Sequence, residues 1–284
     1  MAKFLRQKGL RLRATDIGDG ITRISVSSRL SRFIGMKSTC YLVGDILIDT
    51  AFSNVGDLLV KYLDGRRIRV IALTHNHEDH SGNCGTLSRS HDCPVYLAHP
   101  ESKDEEGVGK LIPYRKVGWG PPAEYQPKPM PEKIESDGRT LLAVPTPGHS
   151  QTHTAFFEEK TGLLFCGDLF IAGGVTAVMR HENPYQSVES LRRVAELKPR
   201  RMMNGHGLSL DDPAEALLSK ADKIEAAAKV VLDMYYRNVP SSEILKRIFK
   251  GGRIRDWFHR NLTGEEFSRK NFIHACLNHR KSCA

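Results

Sequence analysis

Thr74-His75-Asn76-His77-Glu78-Asp79-His80 gathers His75, His77, Asp79 and His80 within six residues. The run before it, Arg69-Val70-Ile71-Ala72-Leu73, is short, apolar and β-branched, the composition of a buried strand. Ser81-Gly82-Asn83 follows as a plausible helix start. The cluster therefore falls on a tight strand-to-helix loop, where alternating side chains can enter one pocket. His75 and His77 can share one ion, with Asp79 and His80 turned towards a second. Imidazole and carboxylate are the donors zinc takes at catalytic sites, about 2.0–2.2 Å from the ion. A histidine-rich surface loop is the bland alternative, but a buried strand leading straight into the cluster argues for metal.

Working outward, Leu47-Ile48-Asp49-Thr50 ends an upstream strand in an aspartate. Downstream stand Pro147-Gly148-His149, Cys166-Gly167-Asp168 and Asn204-Gly205-His206-Gly207. These five motifs, in this order over roughly residues 21–210, resemble the metallo-β-lactamase superfamily. The resemblance implies a four-layer αββα sandwich of the α/β class with a C-terminal helical appendage. It also implies two divalent metal ions, zinc first, with iron or manganese as alternatives. Carried over residue by residue, His75, His77 and His149 would bind the first ion, Asp79, His80 and His206 the second, and Asp168 would bridge them. Asp49 would orient the cluster through hydrogen bonds behind the ligands. The implied reaction is hydrolysis of an ester, thioester or lactone through attack by a metal-bound hydroxide, with Asp79 as the catalytic candidate for handling the proton.

Departures from the family pattern narrow the substrate. Lactamases of the best-known type carry cysteine where Asp168 stands, which argues against antibiotic hydrolysis. Cys166, two residues earlier, reads as a packed thiol. Glyoxalase II enzymes would show Gly-Cys-Gly-Arg soon after the aspartate, and this chain does not. Gly148-His149-Ser150-Gln151-Thr152-His153 replaces the commoner Gly-His-Thr-Pro-Gly-His, leaving His149 intact and suggesting that His153 lies behind the ligands or in the core.

The chain has 284 residues, 40% of them hydrophobic, enough for one large domain with an appendage. We expect a catalytic domain over 1–212 and a helical, basic appendage over 213–284. The formal charge is +9, and residues 238–284 hold ten Lys/Arg against four Asp/Glu. That tail permits an alternative, a metal-dependent endoribonuclease or phosphodiesterase gripping nucleic acid, although scattered charge is more often a solvated helix face. Trp257, Phe258, Phe267 and Phe272 fall at helical spacings and read as core before they read as a base-stacking platform. The expected partner is a small-molecule substrate, and the sequence gives no oligomeric state.

No apolar run is long enough for a membrane span. The first thirteen residues are basic but lack the apolar core of a secretory signal. Six cysteines without Cys-x-x-Cys spacing suit a reduced cytoplasmic protein.

Strands are expected over 21–27, 39–43, 46–49, 94–98, 140–144, 154–158, 162–166 and 201–203, with Gly44-Asp45 turning a hairpin. Helices are expected over 54–63, 82–88, 184–197, 213–236, 242–249 and 265–278. Asn183 is placed to cap the 184–197 helix, and Thr263 with Glu266 to cap the last. Residues 101–133 lose periodicity and hold six prolines with Tyr114, Trp119 and Tyr125. That composition predicts a lid or substrate wall.

Overall fold

The computed structural model describes residues 2–33, 35–100, 113–249, 261 and 263–279. Gly107 and Gly109 of the expected lid, the 250–255 basic loop, Trp257, Phe258 and Cys283 lie outside the described residues. The chain forms two compact units. The first comprises Met1–Pro145, Thr152–Ile171 and Arg200–Asp211, and the second Thr146–Gln151, Ala172–Pro199 and Asp212–Ala284.

In the first unit an eight-stranded sheet follows chain order: Ala2–Gln7, Leu10–Asp16, Ile21–Ser27, Ser38–Val43, Ile46–Ile48, Val70–Ala72, Val95–Leu97 and Lys128–Pro129. Its first five strands pair antiparallel, and Val70–Ala72 begins the parallel half. Gly44 turns the hairpin between Val43 and Ile46 with φ +60°. A two-residue turn with glycine first and left-handed is the II′ form, so the second residue is free to be Asp45.

The second sheet runs Ser209–Asp211, Arg201–Met203, Leu163–Phe165, Thr154–Glu158, Arg139–Pro145, Lys133–Ser136. Tyr41, Val43, Ile46, Ile48 and Ala72 from the first sheet meet Ile134, Leu141, Phe156, Phe165 and Met203 from the second in one apolar cluster. On the other face of the first sheet Leu12, Ile24, Val26 and Ile71 pack with Leu58, Leu59 and Leu63 of the helix Gly56–Leu63 and with Leu87 of the helix Cys84–His91. Burying side chains of this size from both faces stabilises by about 1.5–3 kcal/mol each. The α/β class is as expected, with two sheets face to face and helices outside.

Residues 2–16, for which no strand is expected, form the hairpin Ala2–Gln7 and Leu10–Asp16, because Leu12 and Ala14 alternate with Arg11 and Arg13 and reach the core. Two expectations are corrected. Trp119 is not a substrate wall. It is buried against Phe52, ring centroids 5.0 Å apart, directly after the helix Pro113–Gly118, and Tyr125 packs on the same core. In the second unit, the last helix is Arg269–Asn278, capped by Ser268, whose Oγ accepts from the Asn271 N–H at 3.2 Å. Phe267-Ser268 instead pairs with Val178-Met179 as a short ladder, so Thr263 and Glu266 do not box the helix.

Elsewhere in the second unit Pro184–Glu196 packs along Ala214–Tyr236. Asn183 caps the former as expected, Oδ1 accepting from the N–H groups of Tyr185 and Gln186. Phe272 is core, edge-on to Phe249 at 6.1 Å.

Candidate metal centre

The strand Val70–Ala72 ends beneath the cluster, and the four-residue helix Glu78–Ser81 begins within it. His77, extended at φ −60° and ψ 147°, makes the switch, so that the histidines before it and the Asp79–His80 pair after it project from one corner. His75, His77, Asp79 and His80 are all buried. His75 Nε2 lies 3.0 Å from His77 Nδ1.

Asp49 explains how the corner holds its shape. Its Oδ1 accepts from the Thr74 backbone N–H at 2.8 Å, and its Oδ2 lies 2.8 Å from His80 Nδ1. Accepting the Nδ1 proton leaves His80 Nε2 as the ring's free lone pair. That nitrogen is buried, has no hydrogen-bond partner, and faces Asp168 Oδ1 at 3.4 Å and Asp79 Oδ2 at 3.8 Å. A buried acceptor aimed at two carboxylates is a poor arrangement for protein alone and a good one around a cation.

Asp168 follows the strand Leu163–Phe165 and enters the same corner. Its backbone N–H donates to His153 Nε2 at 3.1 Å, which places His153 behind the ligand as expected. Its Oδ2 lies 3.0 Å from His206 Nε2, and His206 Nδ1 donates to the Lys37 carbonyl at 2.7 Å. Gly205 is required beside them: a Cβ there would stand 2.3 Å from His80 Cε1 and 2.9 Å from Asp168 Oδ1.

The buried charges act on one another. Burial alone would depress His80, but Asp168, Asp49 and Asp79 reverse this and hold its imidazole well above the usual value. Burial likewise opposes His206, and Asp168 lifts it to about 9. Burial would raise Asp168, yet His206 and His80 hold it well below the carboxylate range. Positive charge is thus wanted between these carboxylates, and a divalent ion supplies it.

Ligand atoms of His75, His80 and Asp168 all lie within 4.8 Å of one another, as do those of Asp79, His80 and His206. Six of the seven expected ligands therefore belong to the first unit. His149 belongs to the second, where its Nδ1 lies 3.3 Å from Glu182 Oε2. Cys166 is buried beside the site, a packed thiol as expected.

Sequence reasoning passed over Glu78, which sits between two ligands. It is buried, and its Oε2 lies 2.5 Å from Arg115 Nη1 of the helix Pro113–Gly118. Burial raises the Glu78 carboxyl and Arg115 opposes the shift, leaving it above its ordinary value. Asn54 ties the same helix down, its backbone N–H donating to the Trp119 carbonyl at 3.0 Å. A glutamate at an otherwise outward loop position was the one available signal, and its partner is 37 residues away.

Residues 34–206 match the metallo-beta-lactamase superfamily, and the chain belongs to it. It is accordingly a metallo-hydrolase of that superfamily, whose members imply a dinuclear divalent site, and the His/Asp groups here fit one. Similar proteins include a hydroxyacylglutathione hydrolase of Thermosynechococcus vestitus, 30% identical over 56% of this chain and 57% of its own. An atrochrysone carboxyl ACP thioesterase of Aspergillus fumigatus is 27% identical over 58% of this chain and 47% of its own, so the alignment spans under half of that relative. The di-iron-bound structure of TTHA1623 superimposes with a TM-score of 0.52 at 28% identity, covering 64% of this chain and 93% of that one.

Proposed function

We propose that this enzyme hydrolyses a small-molecule thioester. The observation that carries the reading is Asp168, a buried carboxylate shared between His80 and His206 where antibiotic-hydrolysing relatives would have cysteine. Similarity to a hydroxyacylglutathione hydrolase and to a thioesterase supports thioesters over esters and lactones. By the family pattern we assign His75, His77 and His149 to one ion, Asp79, His80 and His206 to the other, and Asp168 to both. When bound, two such ions supply Lewis-acid polarisation of a carbonyl and lower the pKa of water at neutral pH. The chain's own part is orientation and proton transfer. Asp49 fixes the His80 tautomer, the Lys37 carbonyl fixes that of His206, and His153 holds the Asp168 backbone. Water adds to the thioester carbonyl carbon, the C–S bond breaks, Asp79 passes one of the water's protons to the leaving thiolate, and the other is released to solvent, giving carboxylate and thiol.

The all-imidazole and carboxylate donor set suits zinc, with iron or manganese accepted by the same donors. None of the seven assigned ligands lies in 213–284, which we assign as a supporting appendage. No helix of the described residues is long and apolar enough to cross a membrane. Five buried free thiols suit a reducing compartment, so we place the enzyme in the cytoplasm.

The test is metal analysis joined to a substrate panel. Purified enzyme should carry about two divalent ions per chain. It should turn over thioesters at least about tenfold better, in kcat/KM, than a chromogenic phosphodiester, lactone or oxyester. Asp168→Asn should lower occupancy and turnover together. Preferential cleavage of the phosphodiester would reject the reading.

A further inference from the structure

The N-terminal hairpin extends the first sheet and presents one face to solvent. Paired residues in antiparallel strands project to the same side, so the register lays that face out in rows. One row runs Arg6, Arg11, Ser27; the next Phe4, Arg13, Ser25, Thr39; the third Thr15, Arg23, Tyr41. Thr39 and Tyr41 are buried, so the solvent-facing part ends at the strand Ile21–Ser27. No carboxylate occurs in any of them. Arg6, Arg11 and Arg13 are exposed and Arg23 is half-buried. None of the four, nor Lys37, has a carboxylate partner among the described residues. Several other arginines of this unit do meet carboxylates: Arg67 and Arg69 meet Asp45, Arg139 meets Glu158, Arg200 meets Asp19 and Arg201 meets Asp211, whereas Arg32, Arg66 and Arg89 bond to backbone carbonyls.

This uncompensated face leads to the metal centre. Lys37 accepts the His206 ring proton through its carbonyl, and its Nζ lies 2.8 Å from where a Cβ on Gly207 would be. The exposed part of the rows spans three strands, about 10 Å at roughly 4.8 Å per strand. That is the scale of a small phosphorylated headgroup. Phe4, 58% exposed, carries the Arg13 guanidinium 5.4 Å from its ring centroid, a platform on which a purine can stack. Guanidinium forks match phosphate oxygens, and the half-buried Ser25 and Ser27 add hydroxyl groups.

We propose that this face binds the phosphates of the thiol half of the substrate, so that the preferred thioesters are those of a phosphorylated, nucleotide-bearing thiol such as coenzyme A. The inference rests on the thioester reading above. An RNA strand or an acidic carrier protein could use the same charge, but the face ends at the metal centre within a few strands, which favours a compact substrate.

The experiment compares acetyl-coenzyme A, S-lactoylglutathione and S-acetyl-N-acetylcysteamine, which lacks phosphate, on the metal-loaded enzyme. We expect kcat/KM for acetyl-coenzyme A to exceed that for the truncated thioester by at least about 30-fold, the size of one or two charge-assisted hydrogen bonds. Arg13→Glu with Arg23→Glu should collapse that ratio to within about threefold, chiefly through KM, and flatten its salt dependence. Lys160→Glu, an exposed charge on another part of the surface, should leave the ratio alone. Adenosine 3′,5′-bisphosphate should compete with acetyl-coenzyme A for the unaltered enzyme, a readout that stands even if the double variant fails to fold. Hydrolysis of all three thioesters without preference, or no competition by the bisphosphate, overturns this proposal while leaving thioester hydrolysis intact. Salt-sensitive binding and cleavage of a single-stranded RNA in preference to any thioester overturns both. Failure to hydrolyse any thioester condemns the functional reading itself.

Discussion

Replacing Arg115 with methionine isolates the contact that fastens the helix Pro113–Gly118 to the ligand loop. In the unaltered protein the Glu78 carboxylate, 1% exposed, is neutralised by a guanidinium 2.5 Å away. Its other oxygen, Oε1, is buried without a hydrogen-bond partner. Arg115→Met leaves an uncompensated buried charge one residue from both His77 and Asp79. Breaking a buried pair in this way costs about 3–5 kcal/mol. At about 2–4 °C per kcal/mol, the melting temperature should fall by roughly 6–20 °C. Adding Glu78→Gln should return a large part of the loss, because the charge that had to be desolvated is gone. The measurement is a double-mutant cycle by calorimetry or urea unfolding, on metal-loaded and chelated protein in parallel. If the pair shapes the ligand loop, the metal-loaded form should lose more than the chelated form, since loop distortion also weakens binding. An Arg115→Met loss below about 1 kcal/mol, or a double variant as unstable as the sum of the singles, would refute this account.

Two further outcomes follow from the same geometry. Asp49→Asn turns an acceptor into an amide donor opposite His80 Nδ1, or else withdraws it from Thr74. The His80 proton then moves to Nε2, and metal affinity measured by chelator competition should fall about 10–100-fold. Burial pushes the Cys93 thiol up to about 11 and that of Cys276 up to about 12, with Cys40 and Cys84 raised further. At pH 8 Ellman's reagent should consume at most one of the six thiols in the native enzyme, and all six in guanidinium.

What was legible in the sequence was what local chemistry determines. The cluster from His75 to His80 needs only a strand before it and a turn within it, and Asn183 caps its helix from one residue away. Gly44-Asp45 also read correctly as a hairpin, from the apolar runs on either side. The hairpin at residues 2–16 was overlooked because its positive charge masked a period-two pattern, Leu10, Leu12 and Ala14 inward with Arg11 and Arg13 outward. Trp119 read as a lid aromatic because prolines and glycines surround it. Its partner Phe52 is 67 residues earlier, and no local pattern announces such a contact. Glu78 was hidden for the same reason. Ser268 took the cap from Thr263 because residues 267–268 found strand partners at 178–179, a pairing that no local propensity favours.

The order of the first sheet has a consequence for how the enzyme is made. Each strand from Ala2–Gln7 to Val95–Leu97 lies beside the one synthesised just before it, so this layer can assemble progressively as the chain leaves the ribosome. His75, His77, Asp79 and His80 are then in place early, while Asp168 and His206 are still to be translated. An early chain could hold an ion only weakly, through these three imidazoles and the single carboxylate of Asp79. Tight capture waits until the strands Leu163–Phe165 and Arg201–Met203 pair and bring the shared carboxylate and the last histidine to the corner. If the assigned ligands hold the ions, metal selection waits until His206 has been added and the full donor set can discriminate, and a shorter nascent fragment has little means of trapping the wrong ion.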